Sequence, residues 1–474
     1  MQSDVVIVGG GLAGLACAVA LRDCGLRIRV FEGSARLGGR ACSWTDPHTC
    51  DDVDLGPHIL LTEYRNMLAF LEQLGTRDRI VWETERLLRL REGRRVTDMR
   101  LHALPPPLHL LPSLATTKSV SLADVASNRR VLWMAMRATE EHIKHLDGRS
   151  ALDLLRHSGV SDRFIEWFWA TACMSVLNVP LDRCSAGALM RVFAQLTGLQ
   201  EYAIGFADEA LANLFVPGSI RMLERAGGRV YTESRVDRIV GEQGRFHSVM
   251  LQGGERIEAR FCVAAVPPQC LTRLLPDEWA AMDPFKDVGR FEPSPYVSSY
   301  LWLDRKVTDE RFWARIWNPC DLNTDFYDLS NIRRGWSERR ESVIASNIIF
   351  SHRADGLSDE QIVAATLDDI REALPAAEHA HIRHAVVNRI PMAISCPTPG
   401  CERCRPATRT PIEGLLLAGD WTDTGLPSSM ESAVHSGWAA AEVILQMQGR
   451  PHHLVLPKRE LEGIAGWVRR YGAR

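Results

Sequence analysis

Several features are missing from this sequence, and each absence closes a class of function. No stretch is long and apolar enough to cross a bilayer. The one long uncharged run, Val5 to Leu21, falls short of the roughly 20 apolar residues a span needs and is broken by Gly9, Gly10, Gly11 and Gly14. Its flank carries Asp4 and no Lys or Arg, so the basic start of a secretory signal is lacking too. Charge of one sign is not in excess. Lys and Arg number 56 against 59 Asp and Glu, a net charge of −3, which favours neither nucleic acid nor an acidic substrate. There is no fixed-period repeat and no low-complexity tract. The 12 cysteines are scattered without a disulfide framework and read as the reduced thiols of a cytoplasmic protein. What remains, 46% hydrophobic and 24% charged over 474 residues, is ordinary globular material of about three domain-lengths.

The broken run is itself the first positive signal. Val5 to Val8 is a short β-branched stretch, as expected of a parallel strand buried on both faces. Leu12 to Leu21 has helix-forming residues, and Ile28 to Phe31 reads as a second strand. The turn between the first strand and the helix is Gly9-x-Gly11-x-x-Gly14. Gly9 permits a tight turn, Gly11 lets backbone approach a pyrophosphate, and Gly14 lets helix pack on strand. The helix opening at Leu12 and Ala13 offers free N–H groups and a positive dipole end to phosphate. Glu32 ends the second strand, where a carboxylate accepts hydrogen bonds from ribose hydroxyls. Gly38-Gly39-Arg40 follows, a loop that can pass close to a dinucleotide and bring an arginine to its phosphates.

Gly9 to Arg40 resembles the dinucleotide-binding signature of the flavin amine oxidase and carotenoid desaturase superfamily. The resemblance implies FAD and an α/β fold: a Rossmann-like FAD-binding domain with an inserted α+β substrate domain. It also implies roles for distant residues. In "GLLLAGDWTDTGLPSSMESAVHSGWAAAEVI", Leu415 to Leu417 reads as a strand, and Gly419 and Asp420 fall where such proteins bind the ribityl or pyrophosphate part. A helix beginning near Ser428, with Ser429 and Met430 at its start, would face the flavin's N1/O2 edge and stabilise negative charge there. Val236, in a region of alternating strands ending "FCVAAVPP", takes the adenine-contact position. The loop Gly56-Pro57-His58 falls near the flavin.

Three further stretches, "LPPPLHLLPSL", "LFVPGSIRMLERAGG" and "LLLAGDWTDTGLPSSMESAVHSG", resemble the hydroxysqualene dehydroxylases, also known as squalene-associated FAD-dependent desaturases. That resemblance implies reductive dehydroxylation of hydroxysqualene to squalene in hopanoid synthesis, with an unidentified flavin reductant as partner. The alternative is a carotenoid or phytoene-type desaturase, or an amine oxidase; a non-catalytic flavin-binding scaffold is a third class. A C30 isoprenoid needs a long apolar pocket, for which Trp167, Phe168, Trp169, Met174, Leu177, Met190, Phe193, Phe206 and Phe215 are candidates beside the plain reading of core packing. The leaving oxygen needs a proton. His58, oriented by Asp54, is the candidate donor, set against the reading that both residues structure the FAD loop. Asp208 and Glu209 are weaker candidates, and Tyr64, Tyr202 and Tyr300 stay unranked.

The expected organisation is a discontinuous FAD domain (1–75, 215–285 and 405–448), a substrate domain (76–214, mostly helical, and 286–404, mixed) and a C-terminal tail (449–474). "VSSYLWLD" and "ESVIASNIIFS" read as strands of the pocket wall, and "SDEQIVAATLDDIREAL" as a helix with Ser358 at the N-cap and Gln361 completing a capping box. Cys396, Cys401 and Cys404 suggest loop thiols first, then a zinc knot or a disulfide. His452-His453 reads as surface. The tail reads as solvated, with contact to anionic lipid as the alternative. The expected location is cytoplasmic, with a peripheral membrane contact through Leu104 to Leu114 set against a buried connection.

Overall fold

The computed structural model describes residues 2–471. Its first sheet grows from the N-terminal strand Gln2–Val8. Ile28–Phe31 lies parallel on one side of it and Arg256–Ala264 parallel on the other. Arg229–Tyr231 extends the first edge, while Arg245–Leu251 and Val236–Glu242 continue the second as an antiparallel meander. Leu415–Leu417 pairs parallel with Arg256–Ala264, which brings the far C-terminal region back to the sheet. Val5, Val6 and Ile7 are fully buried, as a strand covered on both faces requires. The fold is thus α/β around a Rossmann-like sheet, and its strands come from three separated parts of the chain.

The helix Leu12–Leu21 packs against Met430–Met447. Their approach is as close as backbone allows. A Cβ on Gly437 would stand 2.2 Å from the carbonyl oxygen of Ala13, and one on Gly14 would stand 2.1 Å from that of Gly9.

A second sheet forms the wall of the inserted domain. Its order is Ile382–Ser395, Pro293–Leu303, Val343–Ile349, Asp325–Asp328, Phe312–Arg315, Leu88–Glu92, Arg95–Met99. The two wall strands expected from sequence are Pro293–Leu303 and Val343–Ile349, and the expected helix is Asp359–Ala373 with its Ser358/Gln361 capping box. That helix covers one face of the sheet through Leu367 and Ile370, packed on Leu301, Trp313 and Ile344. Helices between Leu111 and Gly198 cover the other.

The first insert opens with strands before its helices: Leu88–Glu92 and Arg95–Met99 form a hairpin that completes the wall sheet, turned at Gly93 with φ of +57°. One expectation differs from the structure. The tail is not simply solvated. It carries the helix Gly463–Tyr471, which buries Ala465 and Val468 against Met136 together with Leu461.

The glycine contact between the two helices sets a stability test. Gly437→Val should lower stability by about 1–3 kcal/mol through overpacking, read as a drop in Tm. Gly253→Ala, where an added Cβ meets nothing within 4 Å, is the control and should leave Tm unchanged. Equal midpoints for the two variants would contradict the packing argument.

Candidate active site

A single cavity of about 970 Å³ runs from the glycine turn to the wall sheet. Of the residues singled out in the sequence, Gly9, Gly11, Leu12, Ala13, Glu32, Gly39, Arg40, Gly56, Pro57, His58, Val236, Gly419, Asp420, Ser429 and Met430 line it. Gly14 and Asp54 do not. Gly14 serves the helix–strand contact described above.

The polar end of the cavity is built by segments far apart in sequence. The Glu32 carboxylate accepts from the Gly10 N–H at 2.8 Å and from the N–H and hydroxyl of Ser34. Arg40 donates to Asp420 at 2.5 Å and to the carbonyl of Ala393. Asp420 is fixed in turn: Arg405 and Ser432 both donate to its carbonyl. Ser429 caps the helix Met430–Met447, accepting from the Ser432 N–H. Beside the turn there is room for a ligand. A Cβ on Gly11 would have no protein atom nearer than 3.9 Å and would enter the cavity itself.

His58 and Asp54 share no hydrogen bond, and Asp54 reaches His58 only through its charge. His58 Nδ1 donates to the carbonyl of Gly56 at 2.7 Å, which leaves Nε2 as an acceptor. The ring lies deep in the molecule, and burial pushes its pKa below the usual imidazole value. A histidine held neutral this way is a poor proton donor near pH 7. Asp54 points elsewhere. Its carboxylate accepts from Arg333 at 2.5 Å, Ser43 Oγ at 2.6 Å and the Leu211 N–H at 2.9 Å. This ion pair, buried on both sides, ties the loop to the inserted domain. The geometry of Asp54 is structural.

The apolar end is built mainly from residues the sequence did not mark. Leu87, Leu88, Leu90, Met99, Leu110, Val192 and Leu196 line it. Of the expected apolar candidates only Phe168 reaches the cavity. Trp167, Trp169, Met174, Leu177, Met190, Phe193, Phe206 and Phe215 are packed in the core. Around Phe168 a π-helical turn over Ile165–Trp169 shifts the helical register, and Trp169 donates to Asn128. Tyr64 and Tyr202 line the cavity, Tyr300 is buried behind it, and Asp208 pairs with Arg334. The wall contributes Tyr296, Phe312, Ala314, Asp325, Tyr327, Ile349 and Ile390. The Asp325-x-Tyr327 alternation was legible as two residues on one face of a strand, had "DFYD" been read as one.

The three cysteines of the candidate cluster lie outside this cavity. Cys396, Cys401 and Cys404 are buried, and burial raises the Cys396 thiol to about 11. Among the described residues no group of three or more His, Cys, Asp or Glu is placed to hold a metal.

The chain matches the family model for flavin-containing amine oxidoreductases over residues 12–445. It is 28% identical to the 15-cis-phytoene desaturase of Solanum lycopersicum over 459 residues, covering 94% of this chain and 78% of that one. With the 15-cis-phytoene desaturase of Synechococcus elongatus it shares 27% over 462 residues, covering 94% and 96%. Among solved structures, a putrescine oxidase superposes with a TM-score of 0.73 at 18% identity, covering 94% of this chain and 99% of that one.

Two tests follow. Gly11→Val should fold normally but lose bound flavin, measured as the absorbance ratio of flavin to protein after gel filtration. Full retention of flavin would contradict the cradle. For His58, the folded pKa lies below the ordinary 6.5, so the unfolded chain binds the proton more tightly. The stability that neutral His58 contributes is present above pH 6.5 and is lost as pH falls through the depressed value. His58→Asn should flatten that acid loss in thermal melts. An unchanged slope would contradict it.

Proposed function

Because the chain belongs to the flavin-containing amine oxidoreductase family, with FAD as its cofactor, we propose that it carries out two-electron chemistry on a long apolar isoprenoid. The observation that carries this reading is the continuity of the cavity, from the dinucleotide cradle at Gly9 to Gly11 into an aliphatic chamber.

Bound FAD supplies hydride transfer at the flavin ring. The chain supplies the rest. Glu32, Arg40 and Asp420 hold polar parts of the dinucleotide, and the N-terminus of Met430–Met447 offers N–H groups and a positive dipole end to the ring. The aliphatic lining excludes water and orients the isoprenoid chain.

Desaturation is the reaction the similarity to phytoene desaturases supports best: a hydride and a proton leave adjacent carbons and a double bond forms. A second reading is the reductive dehydroxylation of hydroxysqualene to squalene, with an external flavin reductant. One specific observation favours it: Asp325 and Tyr327 place a buried polar pair on the wall of the chamber, where a hydrocarbon has no use for one.

Access from a membrane belongs to the same proposal. Leu104, Leu108, Leu111, Trp133, Ile464, Trp467 and Tyr471 are exposed, with Trp467 63% accessible. They come together because the Ala465 N–H donates to the Pro106 carbonyl and Arg469 donates to the carbonyl of Met136. Leu110, beside them in the chain, lines the cavity. Aromatic and aliphatic side chains next to Arg469 and Arg470 suit one leaflet of an anionic bilayer. Among the described residues no helix is long and apolar enough to cross it.

Oxidised holoenzyme should be incubated with phytoene and a quinone acceptor, and reduced holoenzyme with hydroxysqualene, with products resolved by mass spectrometry. A product two hydrogens lighter than phytoene supports desaturation; squalene supports dehydroxylation. Oxidation of an amine with peroxide release, and neither isoprenoid product, would overturn both. Trp467→Ser should cut co-sedimentation with anionic vesicles several-fold, and unchanged sedimentation would remove the membrane surface.

A further inference from the structure

The wall strand Asp325–Asp328 presents a carboxyl and a phenol to the cavity, two residues apart on one face. Asp325 is 4% exposed and Tyr327 3%. Tyr327 donates to Asp325 Oδ2 at 2.6 Å, Asn347 Nδ2 donates to the same oxygen at 2.9 Å, and Thr324 Oγ1 donates to Oδ1 at 2.6 Å. None of these partners is a cation. The contrast with the rest of the site is sharp. Among the described residues lining the cavity, the other acids, Glu32, Asp237 and Asp420, belong to the dinucleotide end, where Arg40, Arg235 and Arg273 also lie. Asp325 is the acid that faces the aliphatic chamber.

Its surroundings favour the uncharged form. Burial raises the Asp325 pKa above the ordinary carboxylate value, against the three hydrogen bonds that lower it. The titratable groups facing it are Tyr327 on its own strand and Tyr296 on Pro293–Leu303. Both are pushed well up, by burial first and by the Asp325 charge second. The neighbouring strands Phe312–Arg315 and Val343–Ile349 present Ala314 and Asn347 in register with it.

The acid is also aligned with the loop that carries His58. Asp325, Asn347, Ser298 and Asn388 form one row across four adjacent strands. At the far end of that row Ser298 Oγ donates to the Leu55 carbonyl at 2.7 Å, and Asn388 donates to Ser298 Oγ. Two strand spacings put Asp325 roughly 10 Å from Ser298. Tyr296, which also lines the cavity, lies near the position a Cβ on Gly56 would take, 3.6 Å from its ring.

We propose that Asp325, with Tyr327 against it, is the catalytic acid of this site, holding the oxygen of an oxygen-bearing isoprenoid and protonating it as it leaves. The inference rests on the dehydroxylation reading above. The allylic C–O bond breaks and its electron pair departs with oxygen. The proton moves from Asp325, directly or through the Tyr327 hydroxyl, and the leaving group becomes water. The carbon accepts a hydride, two electrons from the reduced cofactor, which an external donor of the nicotinamide or dithionite class regenerates. The carboxylate left behind is stabilised by the hydroxyls of Thr324 and Tyr327 and the amide of Asn347. His58, held neutral with its one N–H on Gly56, is not needed as an acid.

Three measurements on the FAD-loaded enzyme test this. Infrared difference spectra against Asp325→Asn should show a protonated-carboxyl band in the wild type at pH 7 that the variant lacks; its absence from the wild type would overturn the proposal. Farnesol, a shorter allylic isoprenoid alcohol delivered in detergent, should bind more tightly than the matching hydrocarbon farnesene, by about tenfold or more, followed by tryptophan fluorescence. Asp325→Asn should bind the hydrocarbon as before while losing much of the alcohol preference. No preference in the wild type would overturn the proposal whatever the natural substrate is. In turnover with hydroxysqualene, Asp325→Asn should be slower by about 10²-fold or more, and Tyr327→Phe by less. The wild-type rate should fall at high pH as the acid form is lost. Near-normal turnover by Asp325→Asn would overturn the acid but leave the dehydroxylation reading standing. Alcohol preference and the infrared band in a wild type that never expels the oxygen would overturn both.

Discussion

Everything in this molecule depends on how closely two backbones approach. The helix after the glycine turn can lie on its own strand only because Gly14 has no side chain, and the helix Met430–Met447 can lie against it only because Gly437 has none. These contacts bring Gly9 and Gly11 to within one cavity of Asp420, Ser429 and Met430. A dinucleotide site assembled from residues some 400 positions apart needs such a fixed join, since hydrophobic packing alone tolerates sliding that backbone contact does not. The same geometry makes the site empty where it has to be: the missing Cβ of Gly11 faces open space, whereas those of Gly14 and Gly437 face carbonyl oxygens.

The second organising element is the loop between the two domains. Asp54 anchors it through Arg333, Ser43 and Leu211, and the row from Ser298 to Asn388 holds its carbonyls from the wall sheet. A buried ion pair of this kind contributes little net stability, but removing one partner leaves an uncompensated charge, so the arrangement enforces a single geometry. The loop's position fixes where His58 and Gly56 stand relative to the aliphatic chamber. The site therefore has a polar, arginine-rich end that suits phosphates and an apolar end with one buried acid that no cation pairs. The two ends demand opposite dielectric environments and are built from different parts of the chain.

Much of the first end was legible in the sequence, because its chemistry is local. Gly9-x-Gly11-x-x-Gly14 and Glu32 lie within one strand–turn–helix–strand unit, and turn geometry dictates the residue types. The helix Asp359–Ala373 was legible for the same reason, through its Ser358/Gln361 box. The second end was not. Its lining comes from a hairpin, a helical insert and strands that meet only in three dimensions, so apolar residues there look the same as core. Trp167 and Trp169 illustrate the point: one π-helical turn decides that Phe168, between them, faces the cavity. The partnership of Asp54 and His58 failed for a related reason. Two polar residues close in sequence were read as a pair, while the actual partner of Asp54, Arg333, lies 279 residues away. The tail misled by composition, since its basic residues concealed the apolar face formed by Ala465 and Val468.

On the proposed function, one cavity holds both a flavin dinucleotide and a long isoprenoid. The most direct measurement is a crystal structure of the FAD-loaded protein soaked with squalene, an unreactive chain of suitable length. The dinucleotide should lie against Gly11, Arg40 and Asp420, and squalene density should run from the Gly56-Pro57-His58 loop along Leu90 and Phe168, beside Asp325 and Tyr327. An aliphatic chamber that stays closed or water-filled while squalene binds elsewhere, or not at all, would contradict it.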